Sequence, residues 1–123
     1  MTINTFATPS IISVRTSHQA QIAVVHVAGE VDMSSVEPLE SAVRHELTAR
    51  PPGLVMDLLN VVFWGSSGLR VLIQARDQAE SASTRLRVVA TAPAVLRPLE
   101  LSGLAELFDV RGSVSAAVRD LVA

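Results

Sequence analysis

Two adjacent serines, Ser66 and Ser67, are the residues best placed to do chemistry, because they follow an apolar run and open a stretch with helical periodicity. The first N–H groups of a helix lack intrahelical partners and carry the positive end of the helix dipole, so a serine there can cap the helix. A phosphate on such a serine would also be stabilised. The pair therefore predicts either a structural cap or a charge switch.

Other chemistry for these serines is disfavoured by their neighbours. The segment Gly65-Ser66-Ser67-Gly68 lacks the Gly-x-Ser-x-Gly spacing of hydrolase nucleophiles, and no histidine follows it, whereas those hydrolases place histidine after serine. Two glycines without a following lysine also make a poor phosphate-binding loop. The histidines lack metal-ligand spacing; they are His18, His26 and His45. We therefore expect a protein that is not an enzyme and has no metal or cofactor, with a small serine hydrolase as the catalytic alternative.

Size and composition indicate one α/β domain. The chain has 123 residues, of which 49% are hydrophobic and 3% aromatic, so its core must consist of aliphatic side chains between layers of strands and helices. A formal charge of -2 without a basic cluster argues against nucleic acid as a partner. The absence of cysteine excludes disulfides and thiolate sites. No stretch reaches the ~20 apolar residues of a membrane span, and residues 1–7 lack a basic leader, so we expect a cytoplasmic protein without membrane insertion.

Apolar periodicity predicts a mixed sheet with helices. Strands are expected at residues 11–15, 21–27, 54–58, 86–90 and 107–110, the first two as a hairpin. Helices are expected after Ser34, from Ser66, from Ala94 and after Ser113. Ser34 and Glu37 form a capping-box pattern, and Pro38 fits a first turn. This order predicts an α/β fold with a single mixed sheet of about four to five strands, in one domain over residues 1–123 with a flexible N-terminus at residues 1–10.

Two loops are expected to lie together at the carboxyl edge of this sheet. In open α/β sheets the working loops follow the carboxyl ends of strands, which is where residues 57–67 and 28–34 would lie. Trp64 belongs to the first loop, which is expected at the surface. There it would be a binding anchor, and the alternative is that its side chain fills the core. Asp57 is interpreted as an acceptor for loop N–H groups at a strand end. Glu30 and Asp32 are either solvated turn acids or part of a partner-facing loop.

The two loops also carry motifs that resemble a known family. Gly29-Glu30-Val31-Asp32, and Asp57-Leu58 followed by Trp64-Gly65-Ser66-Ser67-Gly68-Leu69, look like the STAS superfamily and, more narrowly, the bacterial anti-sigma-factor antagonists. The resemblance implies a small switch protein that binds an anti-sigma factor and so frees a sigma factor for transcription. In that family the anti-sigma factor is often a serine kinase of the GHKL type, which phosphorylates the serine matching Ser66. Phosphorylation then breaks the complex, and a PP2C-type phosphatase restores it.

The same resemblance implies which residues form the contact face. These are Gly29, Glu30, Asp32, Trp64, Gly65, Ser66, Ser67, Gly68 and Leu69, with Ser66 as the phosphoacceptor and Ser67 as the second candidate. Arg70, one turn after Ser66, is either a solvated helix charge or a further contact. Gly65 departs from the family pattern, because an aspartate usually precedes the phosphoacceptor, and the role of that carboxylate is not carried over. The alternative function is a STAS-type module of a transport, lipid-transport or stress-signalling assembly.

Overall fold

A computed structural model describes residues 11–122, and the N-terminus predicted to be flexible, residues 1–10, lies outside the described residues. The strands are β1 (Ile12–Gln19), β2 (Ile22–Val31), β3 (Gly53–Trp64), β4 (Arg85–Val89) and β5 (Val110–Arg111). The helices are α1 (Glu37–Thr48), α2 (Ser66–Ala82), α3 (Pro93–Leu101) and α4 (Val114–Val122), with a 3₁₀ turn at Leu104–Glu106. The predicted order is confirmed, but β1, β2 and β3 are all longer than expected, so residues 28–31, predicted as the start of a loop, belong to β2. The last strand begins only at Val110, because Leu107 still closes the 3₁₀ turn by donating its N–H to the Leu104 carbonyl, and residues 108–109 form no strand.

The strands form one mixed sheet in the order β1-β2-β3-β4-β5. β1 runs antiparallel to β2 in the predicted hairpin, and the remaining neighbours pair in parallel. The predicted fold class, α/β with a single mixed sheet, is confirmed. Because β2 and β3 are parallel, their carboxyl ends meet at one edge, where Val31 pairs with Trp64. The two segments that follow these strands therefore start side by side.

Helices cover both faces of the sheet. On one face, α1, α2 and α3 bury the main core against β3, including Leu39, Leu72, Leu99 and Met56. On the other face, α4 packs against β2, β3 and β4, with Ala117, Val118 and Leu121 meeting Val24, Val55 and Val89. A strand buried on both faces needs no polar alternation, which explains the continuous apolar run at the start of β3. No helix within residues 11–122 is long and apolar enough to cross a membrane.

The first helix begins differently from the capping-box prediction. The residue before α1 is Val36, and no side chain caps the helix. The Ser34 hydroxyl instead donates to Asp32 Oδ1 at 2.8 Å. Pro38 lies in the first turn as predicted. The capping-box prediction is wrong because Asp32, two residues before Ser34, competes for its hydroxyl and closes a separate turn ahead of the helix.

Candidate partner-binding site

β3 contains two more residues than the stretch of β2 beside it. The register between these strands shifts between His26 and Ala28, and again between Gly29 and Glu30, and each shift gives β3 one extra residue. An extra residue moves all following side chains to the opposite face of the sheet. The last buried positions of β3 are consequently three residues apart, at Leu58, Val61 and Trp64. The segment predicted to be a loop after residue 58 is therefore strand.

Trp64, the only tryptophan, ends β3 inside the core with 2% of its surface exposed. Its expected position in a surface loop is wrong, and the core alternative is the one observed. The indole lies against Gly68, because a Cβ built on Gly68 would stand 2.6 Å from Trp64 Cε2. Gly68 therefore allows α2 to approach the indole closely. Phe63, one residue earlier, is 49% exposed instead.

Only Gly65 separates β3 from α2, so both serines lie inside the first helical turn. The Gly65 carbonyl accepts the N–H groups of Gly68 and Leu69 at 3.0 and 3.2 Å, and no side chain caps the helix. The prediction of a serine cap is wrong, since a capping side chain belongs to the residue before the first turn. Ser66 is exposed and its side chain makes no hydrogen bond within residues 11–122, whereas Ser67 is 7% exposed. Of the two hydroxyls, that of Ser66 is open to a partner.

The segments that follow β2 and β3 meet as predicted and enclose a hollow beside Ser66. We call it the Ser66 hollow, and its volume is about 520 Å³. The residues that line it are Asp32, Met33, Phe63, Gly65, Ser66, Ser67 and Arg70. Met33 is 85% exposed, so it stands in the open together with Phe63. Arg70 brings a positive charge to within one helical turn of Ser66. The hollow thus combines apolar surface, an exposed serine and charge.

Asp32 closes the turn that presents Met33. Its Oδ1 accepts hydrogen bonds from Ser34 N and Ser34 Oγ at 2.9 and 2.8 Å, and from Ser35 N at 3.1 Å. Ser35 Oγ in turn donates to the carbonyl oxygen of Glu30 at 2.7 Å. These bonds, first of all that from the Ser34 hydroxyl, hold the pKa of the Asp32 carboxyl below its usual value. Asp32 therefore shapes the hollow as the cap of a turn.

Acidification will loosen this turn. A carboxyl group whose folded pKa is lowered contributes stability that is present above its ordinary pKa, 3.8, and is lost as pH falls through the lowered value. We expect the backbone N–H signals of Ser34 and Ser35 in NMR spectra to shift together below pH 3.8, and Asp32→Asn to lack this transition. A wild-type titration without coupled shifts at these two amides would contradict the capping role of Asp32.

The predicted contact residues on β2 have different environments. Glu30 is exposed and pairs with Phe63 across the strands, next to the hollow. Gly29 meets a backbone requirement, because its φ is 98° and a Cβ there would lie 2.1 Å from the carbonyl oxygen of Ile11. Only glycine adopts this conformation at such a close approach without strain. Gly29 therefore supports the site through the sheet and offers no side chain to a partner.

The predicted contact residues on β3 and α2 include exposed residues and also buried residues that support the site from the core. Trp64 and Gly68 are buried, and Leu69 is half-buried. They hold the first turn of α2 against the core, beneath the exposed residues. Sequence patterns alone do not single out Met33 or Phe63, which the structure brings into the hollow. The only sequence signal for Met33 is a large apolar residue within an otherwise polar turn.

The structure also joins three residues that the sequence gives no reason to connect. His26 Nδ1 donates to Asp57 Oδ2 at 2.7 Å, since an ionised carboxylate only accepts, and Ser17 Oγ bonds His26 Nε2 at 2.9 Å. Asp57 lies within β3 rather than at a strand end and is 7% exposed. The connectivity is that of a nucleophile, base and acid, but none of the three lines the Ser66 hollow. In the described part of the chain, no group of three or more His, Asp or Glu side chains is arranged to hold a metal.

Residues 13–117 match the family model described as the STAS domain. The chain belongs to the STAS domain family. The resemblance stated from the two motifs is thereby confirmed for nearly the whole described chain. A curated relative, the anti-sigma-F factor antagonist RsfB of Mycobacterium tuberculosis, is 34% identical over 100 residues, which are 81% of each chain.

Solved structures share this STAS fold. An anti-sigma factor antagonist from Mycobacterium paratuberculosis has a TM-score of 0.87 and 31% identity, covering 96% of this chain and 100% of that chain. Unphosphorylated SpoIIAA of Bacillus has a TM-score of 0.74 and 17% identity, covering 90% of this chain and 98% of that chain. At that identity SpoIIAA shows the STAS fold alone, whereas the mycobacterial proteins are also related in sequence.

Proposed function

We propose that this STAS domain is an anti-sigma-factor antagonist, which binds an anti-sigma factor and thereby frees a sigma factor. The observation that supports this most directly is the Ser66 hollow, where two exposed apolar side chains stand beside an exposed serine. The mycobacterial relatives, both above 30% identity, carry the name of this function. In this proposal the domain acts by binding in the cytoplasm and catalyses no reaction of its own.

Met33 and Phe63 are the proposed anchors for the anti-sigma factor. Burying an apolar side chain of this size contributes about 1.5–3 kcal/mol relative to leaving it exposed, and apolar anchors ringed by polar groups are typical of interface hot spots. Glu30, Asp32 and Arg70 provide the charged rim. The proposed contact face is therefore the Ser66 hollow together with Glu30, while Trp64 and Gly68 support it from beneath.

Phosphorylation of Ser66 is the proposed control of binding. A phosphate adds roughly −1.5 to −2 charges at pH 7, and a partner that closes over the hollow would desolvate this charge. In the free protein the phosphate is favoured, because it stands at the N-terminus of α2 and Arg70 follows four residues later on the same helix face. Both effects favour the free form. Together they are expected to approach the ~5.5 kcal/mol that shifts a preference by ~10⁴.

The proposed kinase is the anti-sigma factor itself, a serine kinase of the GHKL type, and a PP2C-type phosphatase would restore binding. The space around Gly65, where the family usually has an aspartate, is narrow. A Cβ at this position would stand 3.1 Å from Phe63 Cε2 and 3.3 Å from the carbonyl oxygen of Val31. A side chain at this position would therefore require the Phe63 ring to shift by a few tenths of an ångström. In this chain an apolar anchor occupies the space beside the phosphoacceptor.

Affinity capture from the native host's lysate tests this proposal. Wild type is compared with Met33→Asp, which puts a charge beside the hollow, and with Leu101→Asp, the matched control at the end of α3. The two positions are 85% and 83% exposed, so neither substitution should disturb folding. We expect wild type and Leu101→Asp to retain an anti-sigma factor with an ATP-binding kinase fold, and Met33→Asp to lose at least ~1.4 kcal/mol, about tenfold in affinity.

Two outcomes of this capture would contradict the proposal. Wild type that retains no anti-sigma factor would remove the proposed partner, and equal retention by Met33→Asp would remove the proposed contact face. Transport or lipid-transport proteins in place of an anti-sigma factor would indicate a STAS module of another assembly.

A further inference from the structure

The hydrogen bonds that link Ser17, His26 and Asp57 continue to the backbone of β3. Besides accepting from His26, Asp57 accepts the N–H of Leu59 through its second carboxylate oxygen, Oδ1, at 3.1 Å. The carboxylate therefore joins a side chain of β2 to the main chain of β3. Since Ser17 extends the same line to β1, one hydrogen-bonded chain crosses three neighbouring strands.

This line crosses the sheet at the first register shift. His26 pairs with Asp57, and the next regular pair is Ala28 with Asn60, so Leu59 belongs to the stretch where β3 has one residue more than β2. At such a bulge the regular ladder is interrupted, and a buried N–H group left without an acceptor is unfavourable. Asp57 supplies an acceptor at the point where the ladder is interrupted.

The shift has a large effect at the end of β3, because side chains alternate between the two faces of a sheet. With the extra residue, Val61 and Trp64 face the main core and Phe63 lines the Ser66 hollow. Without this first extra residue, and with the second one between Gly29 and Glu30 kept, every later residue of β3 would turn over, so Phe63 would point into the core and Trp64 out of it. The bulge therefore selects which aromatic side chain is offered to a partner.

We propose that His26 and Asp57 are a positioning pair that fixes the register of β3 beyond the bulge, and so presents Phe63 at the Ser66 hollow with Trp64 buried. The two side chains are 19% and 10% exposed, so water competes little for the hydrogen bond between them. Neither residue touches the partner. The consequence for partner binding rests on the proposed function, whereas the effect on the register of β3 does not.

Fluorescence of Trp64 reports this register directly, because Trp64 is the only tryptophan and is 2% exposed. We expect His26→Ala to shift the emission to longer wavelength and to raise acrylamide quenching severalfold, under conditions where far-UV circular dichroism shows a folded protein. His18→Ala is the matched control, since it removes a similar pair, His18 Nε2 with Glu46 Oε1 at 2.9 Å. That pair joins β1 to α1 away from the bulge, so the Trp64 signal of His18→Ala should equal that of wild type.

A second variant, His26→Asn, separates the hydrogen bond from the bulk of the imidazole ring. Asparagine carries an N–H donor close to where Nδ1 stands in histidine, so we expect native Trp64 emission in this variant even where His26→Ala fails to fold. Native emission in a folded His26→Ala would overturn the proposal. An equal red shift in His18→Ala, or an exposed Trp64 in a folded His26→Asn, would overturn it as well.

Affinity for the anti-sigma factor separates this proposal from the proposed function. If wild type binds one, His26→Ala should lose at least about tenfold in affinity, and His26→Asn should keep it. Unchanged affinity in a protein with an exposed Trp64 would overturn the link between register and binding. If wild type binds no anti-sigma factor, the proposed function fails, and the fluorescence comparison still decides the role of the pair.

Discussion

Replacing Gly68 by alanine will push the Trp64 indole away from α2 and destabilise the protein by about 1–3 kcal/mol. The new methyl group would stand 2.6, 2.7 and 2.9 Å from the indole atoms Cε2, Cδ2 and Cζ2. A fused ring cannot bend away from this contact as the end of a flexible side chain can. Because Gly68 lies in the first turn of α2, the displacement should reach the Ser66 hollow and also weaken binding of the anti-sigma factor.

Urea unfolding measures the stability change, with Gly112→Ala as the matched control. The atom nearest to a Cβ at Gly112 is Thr91 Cγ2 at 3.9 Å, so this variant should stay within about 0.5 kcal/mol of wild type. Trp64→Phe combined with Gly68→Ala replaces the indole by a smaller ring, and we expect the pair to recover part of the lost stability relative to their summed effects. Equal free energies of unfolding for the two glycine variants would contradict the packing role of Gly68.

Ser66→Asp will weaken binding of the anti-sigma factor by ~100-fold or more, which corresponds to about 2.7 kcal/mol. The carboxylate places a charge in the hollow that Met33 and Phe63 also line, where a bound partner would exclude water. Ser66→Ala should bind almost as wild type, because the Ser66 hydroxyl makes no hydrogen bond within the described residues. The stability of Ser66→Asp should be unchanged or rise by about 0.3–1 kcal/mol, since an acidic group is favourable at a helix N-terminus.

The opposite signs of these two effects distinguish a switch from simple misfolding. Calorimetric titration gives the affinity and urea unfolding gives the stability of the same preparations. Ser81→Asp is the control, because Ser81 is exposed near the other end of α2 and should bind as wild type. Equal binding by Ser66→Asp and Ser81→Asp would contradict the proposed role of Ser66, whatever their stabilities.

The sequence predicts the order of strands and helices, but it cannot predict the register at the end of β3. The apolar run at residues 54–58 identifies a central strand, since burial on both faces needs no alternation. Beyond it, two extra residues in β3 reverse the inward face twice, so Val61 rather than Asn60 is buried in the core, and Trp64 returns to the face that unbroken alternation from Leu58 would give it. The first of these shifts lies beside a contact between His26 and Asp57, which are 31 residues apart. No local pattern contains such a contact.

The sequence predicted the place of the candidate site in the sheet but not all of the residues that form it. Parallel pairing of β2 with β3 brings their carboxyl ends together, which is why Asp32 and Ser66 meet as expected. The sequence did not show that Gly65, and not a serine, precedes the first turn of α2. That choice depends on where β3 ends. The sequence does not predict that Met33 is exposed, because its exposure depends on the hydrogen bonds that Ser34 and Ser35 donate to Asp32.

A phosphate placed on Ser66 by genetic incorporation of phosphoserine gives the most direct test of the switch. The affinity of this protein for its anti-sigma factor is compared with that of the unmodified protein and of a protein carrying the phosphate on Ser81 instead. We predict a loss of ~100-fold or more only when Ser66 carries the phosphate. Unchanged affinity of the Ser66-phosphorylated protein, with an unmodified protein that binds, would contradict a phosphorylation switch at this site.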